Sequence, residues 1–86
     1  MSQQFTLGKE ISVRLLRDYI IEHKVNPGDS IVVNPMNFEH LVEEARKSPE
    51  GIAIPMKILG VIIAKDNTAD VEVGKIQIVK NEHLNQ

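Results

Sequence analysis

The stretch Val25–Phe38, VNPGDSIVVNPMNF, sets a turn signal, a short apolar run and a helix-start signal back to back. Asn26-Pro27-Gly28-Asp29 stops what precedes it, because proline disfavours helical backbone in the residue before it and glycine accepts positive φ. Ser30–Val33 is rich in β-branched residues, which predicts a strand. Asn34-Pro35 ends that strand, since proline cannot donate to a sheet ladder. The same pair suits a helix start, with Asn34 as cap and proline in the first turn. Asn37 offers a second possible cap.

On the N-terminal side, the segment from about Glu10 to Lys24 has a helical period. Val13, Leu15, Leu16, Tyr19 and Ile20 share one side; Arg14, Arg17, Asp18 and Glu22 share the other. Ser12 is a candidate N-cap, and Ile21 points off the apolar stripe. Before this helix, the alternation of Phe5 and Leu7 fits either a short edge strand or a disordered arm. Residues 1–4 and 81–86 are expected to be flexible.

On the C-terminal side, Phe38, Leu41, Val42 and Ala45 make a narrow stripe at i, i+3, i+4, i+7, closed by Ser48-Pro49-Glu50-Gly51. Glu39, Glu43 and Glu44 precede Arg46 and Lys47, the order a helix dipole favours. Ile52–Ile54 is a short apolar bridge. Lys57–Lys65, KILGVIIAK, is the most apolar run and lacks polar alternation, which predicts a central strand covered on both faces. Gly60 within it predicts a bulge or a close backbone approach. Asp66–Asp70 reads as a turn, and Ile76–Val79 as a last strand. The helix between the first two long strands allows a crossover that makes them parallel. The expected fold is α+β in two layers: two helices on a small mixed three- to four-stranded sheet, in the order (β)αβαββ, in a single domain.

Composition narrows the function. Only 3% of residues are aromatic against 42% hydrophobic, so the core is aliphatic. With no cysteine, disulfides and thiolate metal sites are both absent from the possibilities, in keeping with a cytoplasmic protein. A net charge of −2 with interspersed signs lacks the concentrated basic face that duplex binding needs, so no nucleic-acid partner is expected. No run approaches the roughly 20 apolar residues of a membrane span, and MSQQFTLGKE has no signal-peptide pattern.

No residues assemble into a catalytic, cofactor or metal motif. His23, His40 and His83 lie far apart, and no pair has the i, i+4 spacing of a helical metal site. Asp66-Asn67-Thr68-Ala69-Asp70 lacks the glycine and the flanking helices of a calcium loop, and reads as a turn held by Asx side chains. Ser12, Ser30 and Ser48 sit at element boundaries rather than in a nucleophile elbow, and Glu43 and Glu44 read as solvated. There is no phosphate-binding glycine motif. The chain is therefore expected to be non-catalytic and to work through a protein partner or self-association, a small core being easily completed by a second copy.

Two local resemblances carry further expectations. Leu16-Arg17 through Val25-Asn26-Pro27-Gly28-Asp29-Ser30-Ile31-Val32-Val33 resembles the swapped-hairpin DNA-binding domains of the AbrB type, which would imply a DNA-binding regulator. Here, however, the helix is longer, the surroundings are acidic and a second helix follows. Ile31-Val32-Val33-Asn34-Pro35-Met36-Asn37-Phe38, a helix, then Ile58-Leu59-Gly60-Val61-Ile62-Ile63 is similar to the axial-domain segment of tailed-phage major capsid proteins. That match covers about residues 30–66, without the family's long peripheral helix or E-loop. It implies a phage- or prophage-derived virion component.

Overall fold

The computed structural model describes residues 3–8, 10–49 and 56–80. The elements run β1 (Gln3–Thr6), α1 (Val13–His23), β2 (Ser30–Val33), α2 (Pro35–Arg46), β3 (Lys57–Ile58), β4 (Val61–Lys65) and β5 (Lys75–Val79). The strands form one sheet in the order β1-β5-β2-β4-β3. β2 and β4 are parallel, as the crossover through α2 requires, and the remaining pairs are antiparallel. Leu16, Tyr19 and Ile20 of α1 and Leu41 of α2 join Ile31, Val33, Ile63 and Ile76 in one buried cluster. Both helices therefore cover the same face, and the fold is the two-layer α+β arrangement.

The termini of both helices follow local chemistry. Ser12 Oγ accepts the Leu15 N–H at 3.0 Å, capping α1. Its far end closes at Lys24, which takes a left-handed φ of 54°. Val25 N–H then reaches back to the Ile20 carbonyl at 3.0 Å, and both side chains are buried. This is the Schellman pattern, with its hydrophobic contact, built on lysine instead of glycine. Asn34 Oδ1 caps α2 through the Met36 N–H at 2.9 Å, with Pro35 in the first turn. Glu44, expected in solvent, is half-buried and accepts the Val13 N–H at 3.1 Å, tying α2 to the start of α1. Glu43 is exposed and pairs with Arg46 at 3.0 Å.

Three further expectations are corrected. The sheet has five strands, not three to four. The extra strand arises because Lys57–Lys65 is not one strand: Leu59 and Gly60, with φ of 53° and 84°, form a two-residue turn that folds β3 back on β4. Both left-handed residues suit the type I′ hairpin, whose twist matches that of the flanking strands. Among the described residues the same run is also covered on one face only: burial alternates along β4, with Val61 and Ile63 inward and Ile62 and Ala64 half-buried on the other side. β1 begins at Gln3, so the edge strand incorporates two residues expected in the flexible arm. The expectations for residues 1–2, 52–54 and 81–86 lie outside the described residues.

Gly60 does make the close approach foreseen for it. A Cβ at this position would stand 3.0 Å from Pro27 Cβ, and Gly28 N–H donates to the Gly60 carbonyl at 3.0 Å. The Pro27-Gly28 turn is thus seated on the β3–β4 hairpin. Asp29 secures the turn from within: it is buried, its Oδ2 accepts the Asn26 N–H at 3.3 Å, and Lys80 Nζ lies 3.5 Å away.

Candidate functional site

Two regions place polar or apolar groups in a way that the core does not require. The first is the loop 66–74 between β4 and β5, gathered at the start of α2. Asp66 is its hub. One carboxylate oxygen accepts the Thr68 Oγ1 hydroxyl at 2.7 Å and the Thr68 N–H at 2.9 Å; the other accepts the Val71 N–H at 2.8 Å. The Thr68 hydroxyl, followed by the backbone donors of Val71 and Thr68, lowers the Asp66 pKa from 3.8 to about 2. Asn34 Nδ2 donates to the Val71 carbonyl at 2.9 Å, and the buried Asn37 accepts the Gly74 N–H at 2.8 Å. On the other flank, Leu7 and Gly8 both donate to the Gly74 carbonyl, at 2.8 and 3.2 Å.

These contacts give Asn34 and Asn37 a second task besides helix entry, one that their spacing alone did not reveal. They hold a loop 37 residues further along the chain. Asp66–Asp70 is the Asx-held turn expected from sequence, with Thr68 Oγ1 also 2.9 Å from Asp70 Oδ2. The arrangement consumes its donors and acceptors internally, which is the chemistry of a clamp. Met36 and Val73 are left exposed beside it.

The second region is the face of the sheet opposite the helices. Strand side chains alternate, so the partners of the buried set emerge there. The pairing aligns Gln4, Gln77, Val32 and Ala64 in one row and Val79, Ser30, Ile62 and Lys57 in another. Val32, Ile62 and Ala64 are half-buried and Val79 is exposed. No carboxylate stands in either row, whereas α1 and α2 carry Asp18, Glu22, Glu39, Glu43 and Glu44. Across four strands, roughly 15 Å, the middle of this face is aliphatic and neutral polar, with Lys57 at the β3 side and Lys75, facing the same way as Gln77 on β5, as its charged groups.

The remaining sequence candidates are scattered. His23 is exposed and stacks on Tyr19 with ring centroids 4.1 Å apart; Tyr19 in turn touches Phe5 at 6.0 Å. Burial pushes the Tyr19 phenol pKa up. His40 is exposed on α2, and His83 lies outside the described residues. Ser12 is a cap, Ser30 opens β2 and Ser48 follows α2. Among the described residues no group of three or more His, Asp or Glu side chains is gathered closely enough to hold a metal ion, and no helix is long and apolar enough to cross a membrane. A groove of about 330 Å3 along α2 is lined by Phe38, Glu39, Val42, Glu43, Arg46 and Lys65 and opens broadly to solvent.

The fold and these two regions define a two-layer α+β domain with one helical face and one sheet face that is bare among the described residues. Comparison with known proteins finds no matching family model, no matching curated protein and no matching solved structure.

Proposed function

We propose that this chain is a non-catalytic protein–protein interaction module of the cytoplasm whose contact surface is the bare face of its sheet. The observation that carries this reading is the carboxylate-free band of Val32, Ile62, Ala64 and Val79, set opposite a layer bearing the helical acids. Covering apolar surface is the general driving force of association, and with the lysines at the margins the centre of the band carries no charge whose desolvation opposes it. A partner suited to it presents apolar side chains at the centre, with a carboxylate at the rim to meet Lys57.

A photo-crosslinking residue at Gln77, in the middle of the band, tests the reading in cells against the same residue at Arg14 on the exposed side of α1. A discrete adduct is expected from position 77 alone, suppressed by excess unlabelled protein but not by unlabelled Val32→Glu. Equal labelling from both positions, or none from 77, would overturn it.

A second reading rests on the run from Ile31 to Ile63, where a strand, an Asn34-Pro35 helix entry, a helix and the Leu59-Gly60 segment follow the order of the tailed-phage capsid segment. Under that reading the chain is a phage- or prophage-derived virion component. Tail or portal genes beside its own would support it, and housekeeping neighbours would count against it. The DNA-regulator reading requires salt-dependent duplex binding, and no mobility shift at low salt would end it.

A further inference from the structure

The two edges of the sheet are unequal. β3 is two residues long, carries Lys57 and ends at once in a tight turn, which are the usual protections of an edge against pairing with another chain. β1 has four residues, QQFT, with no charge and no proline, and among the described residues no strand lies on its outer side. Its hydrogen-bonding phase can be read from the inner side. Leu7 N–H donates to the Gly74 carbonyl at 2.8 Å, in register with the pairs Phe5↔Ile76 and Gln3↔Ile78. Hydrogen-bonded pairs alternate along an antiparallel ladder, so Phe5 and Gln3 face β5 while the N–H and C=O of Gln4 and Thr6 face outward.

We propose that β1 pairs antiparallel with β1 of a second copy, joining two five-stranded sheets across a twofold axis at Phe5. The outward groups fix this register. Gln4 of one copy must face Thr6 of the other, giving four backbone bonds, and Phe5 then meets Phe5 as the close pair that exchanges no bonds, with Cα atoms about 4.5 Å apart. Three features favour a copy of this chain as the occupant. The edge is uncharged, so self-pairing brings no like charges together. The register is self-complementary. Phe5 is half-buried on Tyr19, and its remaining surface is what the second Phe5 would cover. With so short a segment the contact falls below the ~1,200 Å2 of stable interfaces, so the dimer is weak and concentration-dependent. This edge is separate from the bare sheet face, and either proposal can fail without the other.

Light scattering and amide hydrogen exchange across a dilution series test it. The wild-type chain is expected to pass from monomer to dimer with rising concentration, and the Gln4 and Thr6 amides to become protected in step. Thr6→Pro removes an outward N–H and no bond to β5; losing two of the four bonds should weaken dimerisation about tenfold to thirtyfold, with the fold checked by its circular dichroism. Phe5→Cys supplies the only thiol in a chain without cysteine, at a separation suited to a disulfide, and should cross-link on mild oxidation where Ile21→Cys does not. Gln4 and Thr6 amides that exchange at one rate at every concentration would overturn the proposal. So would a dimer that survives Thr6→Pro unchanged, which would instead place self-association on the bare sheet face.

Discussion

The buried Asn37 side chain on the first turn of α2 accepts the Gly74 backbone N–H at 2.8 Å, across 37 residues of chain. This bond fixes the loop 66–74 to the helix that precedes it by a whole hairpin. Asn37→Ala leaves the Gly74 donor buried and unpaired, which should cost about 1–3 kcal/mol. Urea unfolding is the check: the midpoint falls while the slope stays constant. An unchanged midpoint would mean that the loop rearranges to pair the amide elsewhere.

Asp66 makes stability depend on pH in a definite direction. Its pKa is lowered to about 2 in the folded chain, from 3.8. Protonation therefore favours the unfolded chain. The contribution is fully present above about pH 4 and is lost as pH falls through about 2. Asp66→Asn should flatten the acid limb of a pH series of urea midpoints between these values. An acid limb as steep as that of the wild type would assign the effect to other carboxylates.

Lys24 holds a left-handed backbone, with φ 54°, to end α1. Lys24→Gly removes the clash of Cβ with the carbonyl while keeping the Val25-to-Ile20 bond, and should stabilise the chain by about 0.5–1 kcal/mol. Thermal unfolding should rise by several degrees for a domain of this size. A drop would show that the lysine side chain contributes more than its backbone strain costs.

Gly60 is constrained twice, by a φ of 84° and by Pro27 Cβ at 3.0 Å from any added methyl. Gly60→Ala should destabilise by about 1–3 kcal/mol, from strain and overpacking together. Pairing it with Pro27→Gly removes the collision and leaves the strain. The double variant should then lose less than the sum of the two single changes, and strict additivity in the cycle would show that the contact costs nothing.

Each element whose signal is local could be read in advance. Ser12 and Asn34 announce their helices because a cap needs one oxygen a fixed number of residues from its amide. Asp66 holds its turn because its acceptors reach only the next few residues. The helix between two apolar strands implied the parallel pair β2–β4. The hairpin in KILGVIIAK was hidden, because an apolar run gives no period from which to tell one long strand from two short ones. Glycine marked the place without saying whether it bent, bulged or turned. The second task of Asn34 and Asn37 was hidden for a different reason: side-chain bonds to residues 71 and 74 leave no trace in spacing.

The stretch VNPGDSIVVNPMNF determined by itself where one helix stops, where a strand lies and where the next helix begins. Those are nearest-neighbour matters of φ, missing donors and capping oxygens. Tertiary structure alone decided that β5 inserts between β1 and β2 and that Pro27 rests on Gly60. Strand order and face are set by which apolar surfaces bury each other, and that choice depends on the whole chain at once. Among the described residues, the bare sheet face and the open edge of β1 are consequences of it.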